Sequence, residues 1–368
     1  MVLHRIRAAL TVAILPLKQG VLCPYRDVKR ILLIKTSSLG DVVHNLPVVS
    51  DIRHQFPEAV IDWAVEEAYV PLVALHPDVH QVIPVAVRRW RRQVWCASTW
   101  REIASFRQRV TAQTYDAVID TQGLLKSALL SCMASGIRHG FDSTSAREPL
   151  ASLCYQQRHA LTRTAHAVSR NRLLAGAALG YVPAQTVSYG LQATAGAAVT
   201  DPAAETAAAG HYAVLLHASS RDDKLWPENN WVELAAALSA RQPGLRMLLP
   251  FGNALEQQRS LRLAAQMQWV PGVLASVPAA MALDGMAHLL AGAAFVIGVD
   301  TGLTHLATAL GRPTVALFMG SDPTLTGVFG SACACNLGSP GRAPTVMQVL
   351  DSLAAMRRAA QRTGLSEQ

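Results

Sequence analysis

The chain has 368 residues, of which 51% are hydrophobic and 16% charged, with a formal net charge of +8. At roughly 150 residues per domain this is a two-domain length. The apolar content is enough for buried cores and excludes a disordered chain. The basic balance favours anionic partners (nucleic acid, phosphorylated substrates or an anionic membrane face) without choosing among them.

Residues 1–28 read as an N-terminal extension. Basic His4 to Arg7 and apolar Ala8 to Leu17 imitate a secretory leader, but Pro16 breaks the run and Lys18 follows it. The run is far short of the ~20 residues a spanning helix needs. Translation from an upstream start codon is the favoured reading, a basic amphipathic membrane contact the other.

The apolar period then alternates between strand-like and helical. Arg30 to Lys35 is a short buried strand, and Asp41 to Phe56 a helix. Val60 to Glu66 and Gln81 to Val85 are strands. A polar, tryptophan-bearing segment precedes a helix that runs to about Gln113. Tyr115 to Asp120 is a strand and Leu124 to Ser135 a helix. Residues 192–210, rich in Ala, Thr and Gly, read as a linker between units 29–191 and 211–340. The pattern restarts with a strand at Tyr212 to His217, a helix at Glu228 to Arg241 and a strand at Leu245 to Pro250. Helices at Ala254 to Gln268 and Met281 to Ala293 follow, then a strand at Phe295 to Val299, a helix at Leu303 to Leu310 and a strand at Thr314 to Phe318. The end, residues 341–368, carries a basic helix from Thr345 to Arg362, expected to pack back toward the first unit. Repeated strand–helix units imply α/β architecture: two doubly wound parallel-sheet domains in tandem. Ligands of such sheets sit at the carboxyl ends of the strands, so two domains facing through those ends make a cleft.

Six cysteines, at 23, 96, 132, 154, 333 and 335, show no CxxC pair and no zinc spacing, so we read reduced thiols in a reducing compartment. Cys333 and Cys335 alone fall short of the four ligands of a tetrahedral site.

Five strand ends carry the chemistry. In Lys35–Asp41 (Lys-Thr-Ser-Ser-Leu-Gly-Asp) Gly40 allows a tight turn, and Asp41 at a helix start reads equally as a cap or as a general base. There is no GxGxxG, so an ordinary dinucleotide fingerprint is not supported. Arg88, Arg89, Arg91 and Arg92 surround Trp90; such runs are usually solvated, but guanidinium groups also bind carboxylate and phosphate in pairs. Asp120–Gly123 places Gln122 toward the cleft, with Arg147 just beyond the next strand. His217–Pro227 offers Ser219, Ser220 and Lys224 where a pyrophosphate could lie. Gly298–His305 ends a strand in a small polar turn, and Thr301 and Gly302 present N–H groups at a helix start. The competing reading has Asp300 capping the helix and His305 packed in the core.

Taken in order, these motifs, with Arg221-Asp-Asp-Lys224 and Trp226-Pro227, resemble the heptosyltransferases of glycosyltransferase family 9, in their heptosyltransferase I branch. The resemblance runs from about Arg30 to the C-terminus and implies the GT-B fold, two Rossmann-like domains across a cleft. It implies an inverting transfer of L-glycero-D-manno-heptose from ADP-heptose to the Kdo of Kdo2-lipid A. Position by position, Asp41 matches the catalytic base. Ser219, Ser220 and Lys224 match the diphosphate segment, with Ser-Ser in place of Thr-Thr. Glu256 matches an acidic residue on the adenosine ribose, and Phe251 stands for a different aromatic beside it. Asp300, Thr301, Gly302 and His305 match the donor turn, with Asp300 on heptose hydroxyls. Lys35, Ser38, Gly40, Arg88, Arg89, Arg91, Arg92, Gln122 and Arg147 match the acceptor side. No metal and no cofactor is expected to be required, because helix N-termini and Lys224 can meet the diphosphate charge. The expected setting is the cytoplasm, peripheral to the anionic inner membrane. A heptosyltransferase II-like enzyme is the neighbouring alternative, and a non-catalytic ADP-sugar binder a more distant one. Nucleic-acid binding has only the basic charge behind it, without interleaved aromatics on a strand face.

Overall fold

The computed structural model describes residues 28–193 and 211–362. The expected extension, up to residue 27, and the expected linker, from residue 194 on, lie outside the described residues.

Two six-stranded, wholly parallel sheets organise the chain. The first is built from β1 (Arg30–Ile34), β2 (Val60–Glu66), β3 (Gln81–Val85), β4 (Thr114–Asp120), β5 (Ser135–Phe141) and β6 (Gln157–His159), in the order β3-β2-β1-β4-β5-β6. The second comprises β7 (Tyr212–Leu216), β8 (Arg246–Leu248), β9 (Leu274–Ser276), β10 (Phe295–Val299), β11 (Thr314–Phe318) and β12 (Ala334–Gly338), in the order β12-β11-β10-β7-β8-β9. Counted within its own half, each sheet has the same order, with the switch of direction between its first and fourth strands. The central strands are mostly apolar because helices cover both faces. Ile31, Leu32, Leu33 and Ile34 are all fully buried, and each such side chain stabilises by about 1.5–3 kcal/mol.

Several helices follow their sequence pattern closely, among them Glu228–Arg241 and Ala254–Gln268. Others differ for local reasons. The expected single helix from Asp41 to Phe56 is two, α1 (Leu39–Val43) and α2 (Leu46–Gln55), broken at His44 and Asn45. Pro47, in the first turn of α2, has no N–H to continue a helix from above and favours a fresh start. The expected helix from Leu124 to Ser135 stops at Ser131, because Ser135 already pairs with Thr114 as the start of β5. The arginine cluster, left without structure in the sequence reading, contains a one-turn helix, Val87–Trp90. The C-terminal helix Val346–Arg362, expected to pack back toward the first half, instead lays Val346, Val349, Leu350 and Leu353 into the core of the second sheet.

The two halves meet through apolar side chains. One continuous cluster joins Val42, Val43 and Leu46 of the first half to Met286, Leu289 and Leu306 of the second. The helix Gly302–Ala309 packs against α1, so two helix N-termini approach each other across the cleft. Gly302 is required there: a Cβ would lie 2.6 Å from Leu39 Cβ.

Candidate active site between the two sheets

The first half contributes a carboxylate in a helix cap. Strand β1 ends at Ile34, in register with Asp120 at the end of β4, so the loops after both strands share one end of the sheet. Asp41 is the third residue of α1. Its Oδ2 accepts from Ser38 N at 3.0 Å and Ser38 Oγ at 3.3 Å, forming a capping box. Arg147 Nη1 approaches the same oxygen at 3.4 Å. Burial alone would push the Asp41 carboxyl up, but the positive charges of Lys35 and Arg147 and the Ser38 donors outweigh it, and the carboxyl is held below its ordinary value. Asp41 is therefore both a cap and an ionised carboxylate open to the cleft.

Two expected acceptor residues lie beneath this loop. Lys35 is buried, donating to Thr121 O at 2.9 Å and Asn171 Oδ1 at 3.4 Å. Burial pushes its ammonium pKa down, and it acts on Asp41 through the field. Gln122 is buried too: its Oε1 accepts from Thr36 N at 2.7 Å, and its Nε2 donates to Ser37 O at 2.7 Å. The two Gln122 bonds fix the Thr36–Ser37 backbone from below. Asp120 Oδ1 in turn holds Gln122 N at 2.8 Å, and Tyr155 donates to its other oxygen at 2.7 Å. Lys126 points its Nζ to Ser37 Oγ at 2.8 Å.

Of the four arginines, Arg89 is held between Glu67 and Glu102, with its guanidinium 2.9 and 2.8 Å from their carboxylates. Arg88 lies over the Tyr69 ring, 6.0 Å from its centroid, while its backbone N–H donates to Glu66 Oε1. Arg91 and Arg92 are exposed and pair with no carboxylate among the described residues. A cavity of ≈ 370 Å³ lies here, lined by Glu66, Glu67, Arg88, Arg89 and Arg92.

The second half contributes charge in the opposite sense. Lys224, in the one-turn Asp222–Lys224 segment after β7, donates to Asp300 Oδ2 at 2.7 Å. Ser321 Oγ reaches the same oxygen, and His305 Nε2 lies 3.4 Å from Asp300 Oδ1. Burial would raise the Asp300 carboxyl, but these three donors hold it far below the usual carboxylate range. Ser219 Oγ donates to Asp300 O at 3.3 Å, and Ser220 is exposed beside it. Thr301 caps the helix that starts at Gly302 in extended backbone, with no side-chain bond spent on the first-turn N–H groups. Glu256 sits further out, where its Oε2 accepts from Gly252 N at 2.7 Å in the first turn of its helix.

A chain of imidazoles links the halves, and no spacing in the sequence announced it. His44, at the break between α1 and α2, lies 3.3 Å from His305 Nδ1 through its Nε2. His166 packs edge-on against His44, with ring centroids 5.6 Å apart, and bonds Gly327 O at 3.0 Å. If His305 donates to Asp300, its Nδ1 accepts and His44 donates. Burial pushes His44 well below the ordinary histidine value, so it is neutral at pH 7.

The family model for glycosyltransferase family 9 (heptosyltransferase) matches residues 103–349. The chain belongs to that family. Lipopolysaccharide heptosyltransferase 1 of Escherichia coli (strain K12) is 45% identical over 302 residues, 82% of this chain and 91% of the relative. Lipopolysaccharide heptosyltransferase 2 of the same strain is 24% identical over 314 residues. The solved structure of E. coli heptosyltransferase WaaC with ADP superposes with a TM-score of 0.79 at 40% identity, covering 89% of this chain and 99% of that one. WaaC with ADP-2-deoxy-2-fluoro heptose gives 0.73 over 90% and 99%. The two six-stranded parallel sheets are thus a GT-B pair, and the protein is a glycosyltransferase that transfers heptose. Among the described residues no group of three or more His, Cys, Asp or Glu side chains is arranged to hold a metal ion.

Proposed function

We propose that the chain transfers L-glycero-D-manno-heptose from ADP-heptose to the Kdo of Kdo2-lipid A, in lipopolysaccharide inner-core assembly. The observation that carries the reading is the pairing across the cleft: an ionised Asp41 on one helix N-terminus faces Lys224, Asp300 and a free helix N-terminus on the other half. The higher identity to heptosyltransferase 1 than to heptosyltransferase 2 favours the first heptose over a later one.

In this reading Asp41 takes the proton of a Kdo hydroxyl as its oxygen attacks the anomeric carbon. The new C–O bond forms on the face opposite the one from which ADP leaves, so the configuration inverts. A positioned base contributes about 10²–10⁴-fold. The electron pair of the broken bond goes to the diphosphate, which Lys224, the hydroxyls of Ser219 and Ser220 and the N–H groups at Thr301 and Gly302 receive. For that, Lys224 exchanges its bond to Asp300 for a phosphate oxygen, and Asp300 is released to accept heptose hydroxyls. Glu256 stands toward the adenosine ribose. Arg88, Arg91, Arg92 and Arg147 meet the acceptor's carboxylates and phosphates, while Arg89, Lys35 and Gln122 hold the loops that carry them. These donors carry the leaving group's charge with no divalent metal.

No helix among the described residues is long and apolar enough to cross a membrane. Together with the net charge of +8, this fits an enzyme working on the cytoplasmic side, peripheral to the inner membrane.

The test is transfer by the purified chain from ADP-heptose to Kdo2-lipid A, compared with an acceptor that already carries one heptose, each with and without EDTA. Turnover on the first acceptor alone, unchanged by EDTA, is expected. Preference for the heptosylated acceptor would overturn the assignment, and loss of activity in EDTA the metal-free mechanism.

A further inference from the structure

Beside the arginine cluster the surface departs from ordinary protein exterior. Trp95 is 96% exposed and Trp100 61%. Val94 between them and the cluster is exposed as well. Large indoles left in water without a partner are unusual, and a contiguous apolar patch rimmed by charge marks an interaction site. The presentation is built. Trp100 Nε1 donates to Val94 O at 2.9 Å and Thr99 Oγ1 to Gln93 O at 2.8 Å, so the start of the helix Ala97–Thr111 is tied to the turn that carries Trp95. Arg91, Arg92 and Arg101 are exposed on the same short stretch.

We propose that this tryptophan turn, residues 91–101, is a docking surface for the headgroup region of an anionic bilayer. Tryptophan prefers the membrane–water interface, where its ring is apolar and its edge wet. Arginines beside it are drawn to anionic lipid within a Debye length of the surface. A protein partner would also use tryptophan and arginine; the bilayer is favoured because the turn adjoins the cavity on the acceptor side. The turn adjoins the cavity lined by Arg88, Arg89 and Arg92, so a chain seated here brings the acceptor side of the cleft to the lipid surface. In its use for catalysis, though not in its lipid chemistry, the proposal rests on the lipid-linked acceptor reading above.

The test is co-sedimentation of the full chain with vesicles of phosphatidylglycerol and phosphatidylcholine, and with phosphatidylcholine alone. Binding to the anionic vesicles that weakens as salt rises from about 0.1 to about 1 M is expected, since the Debye length falls from about 10 to about 3 Å. Trp95→Gln lowers the partition coefficient on the order of tenfold, and Trp95→Gln/Trp100→Gln by more, as apolar area is withdrawn from the interface. Trp95 touches so little of the fold that the single variant keeps its thermal midpoint. Transfer to a water-soluble, deacylated acceptor is unchanged in both variants, while transfer to vesicle-embedded acceptor falls with binding. Equal vesicle binding by wild type and double variant would overturn the proposal, as would wild type that ignores anionic vesicles. So would tryptophan-dependent self-association by light scattering without vesicle binding. Wild type that binds vesicles yet fails to modify the deacylated acceptor would instead defeat the acceptor reading and leave the surface standing.

Discussion

The two halves share one strand order and spend it differently. After β1 the chain turns at once into α1, and the helix start is closed on itself by Asp41 and Ser38. After β10 the chain turns into the helix at Gly302 with its first-turn N–H groups free of side-chain caps. A helix N-terminus attracts negative charge in both cases. The first half supplies that charge from its own side chain, and the second leaves the place for a ligand. The same backbone element thus yields a base on one side of the cleft and an anion site on the other.

Asp41→Asn is the hardest blow to this division of labour. It keeps the shape of the cap and removes the proton acceptor, so the transfer rate falls by about 10²–10⁴-fold. ADP affinity, measured by titration calorimetry, stays as in wild type. A variant at full rate would show that the carboxylate is only a cap.

Lys224→Ala strikes the other half. A charge-assisted hydrogen bond contributes about 1.5–3 kcal/mol, so the Kd for ADP rises roughly ten- to a hundredfold. An unchanged Kd would mean that Lys224 serves only Asp300.

Gly302→Ala tests the approach of the two helix ends. Its Cβ would lie 2.6 Å from Leu39 Cβ and Cγ, and overpacking of this kind costs about 1–3 kcal/mol, read by urea unfolding. Gly40→Ala is the control, because its Cβ meets nothing nearer than His305 Cδ2 at 3.3 Å. Gly302→Ala at wild-type stability would show that the halves do not bear on each other at Gly302.

Much of this was legible in the chain because local pattern and burial agree. The strands at Val60–Glu66 and Phe295–Val299 are buried on both faces and mostly apolar, and their limits match the sequence reading. The short outer strands β6 and β9 escaped it, since Gln157–His159 is polar and Leu274–Ser276 spans only three residues. The helix Ala167–Leu179 was also missed. It is buried on most sides, Asn171 and Arg172 included, which blurs the helical period. Motifs singled out Asp41, Lys224 and Asp300 because each lies in the segment that follows a strand. They could not place Lys35 and Gln122 beneath the loop rather than on it, because depth is set by what packs from β4 and from Asn171. The imidazole chain was least legible, since His44, His166 and His305 come from three separate helix ends that only the docked halves bring together.

That chain gives the mildest prediction and the one most particular to the joint between the halves. Burial pulls His166 down from 6.5 to about 4. Between those values the unfolded chain holds a proton that the folded chain does not, so stability falls as pH drops from about 6.5 toward 4. For this one residue the loss between pH 7 and pH 5 is about 2 kcal/mol. His166→Gln removes that term and keeps a donor for Gly327 O, while sacrificing at every pH the Nδ1 acceptor that caps Val168 N. The variant is therefore less stable than wild type at pH 7, and its urea midpoint falls less between pH 7 and pH 5. His44, also held neutral by burial, keeps its own share of the acid sensitivity in that variant. If wild type and variant lost stability in parallel, the protons would be entering elsewhere, and the joint between base side and donor side would be indifferent to acid.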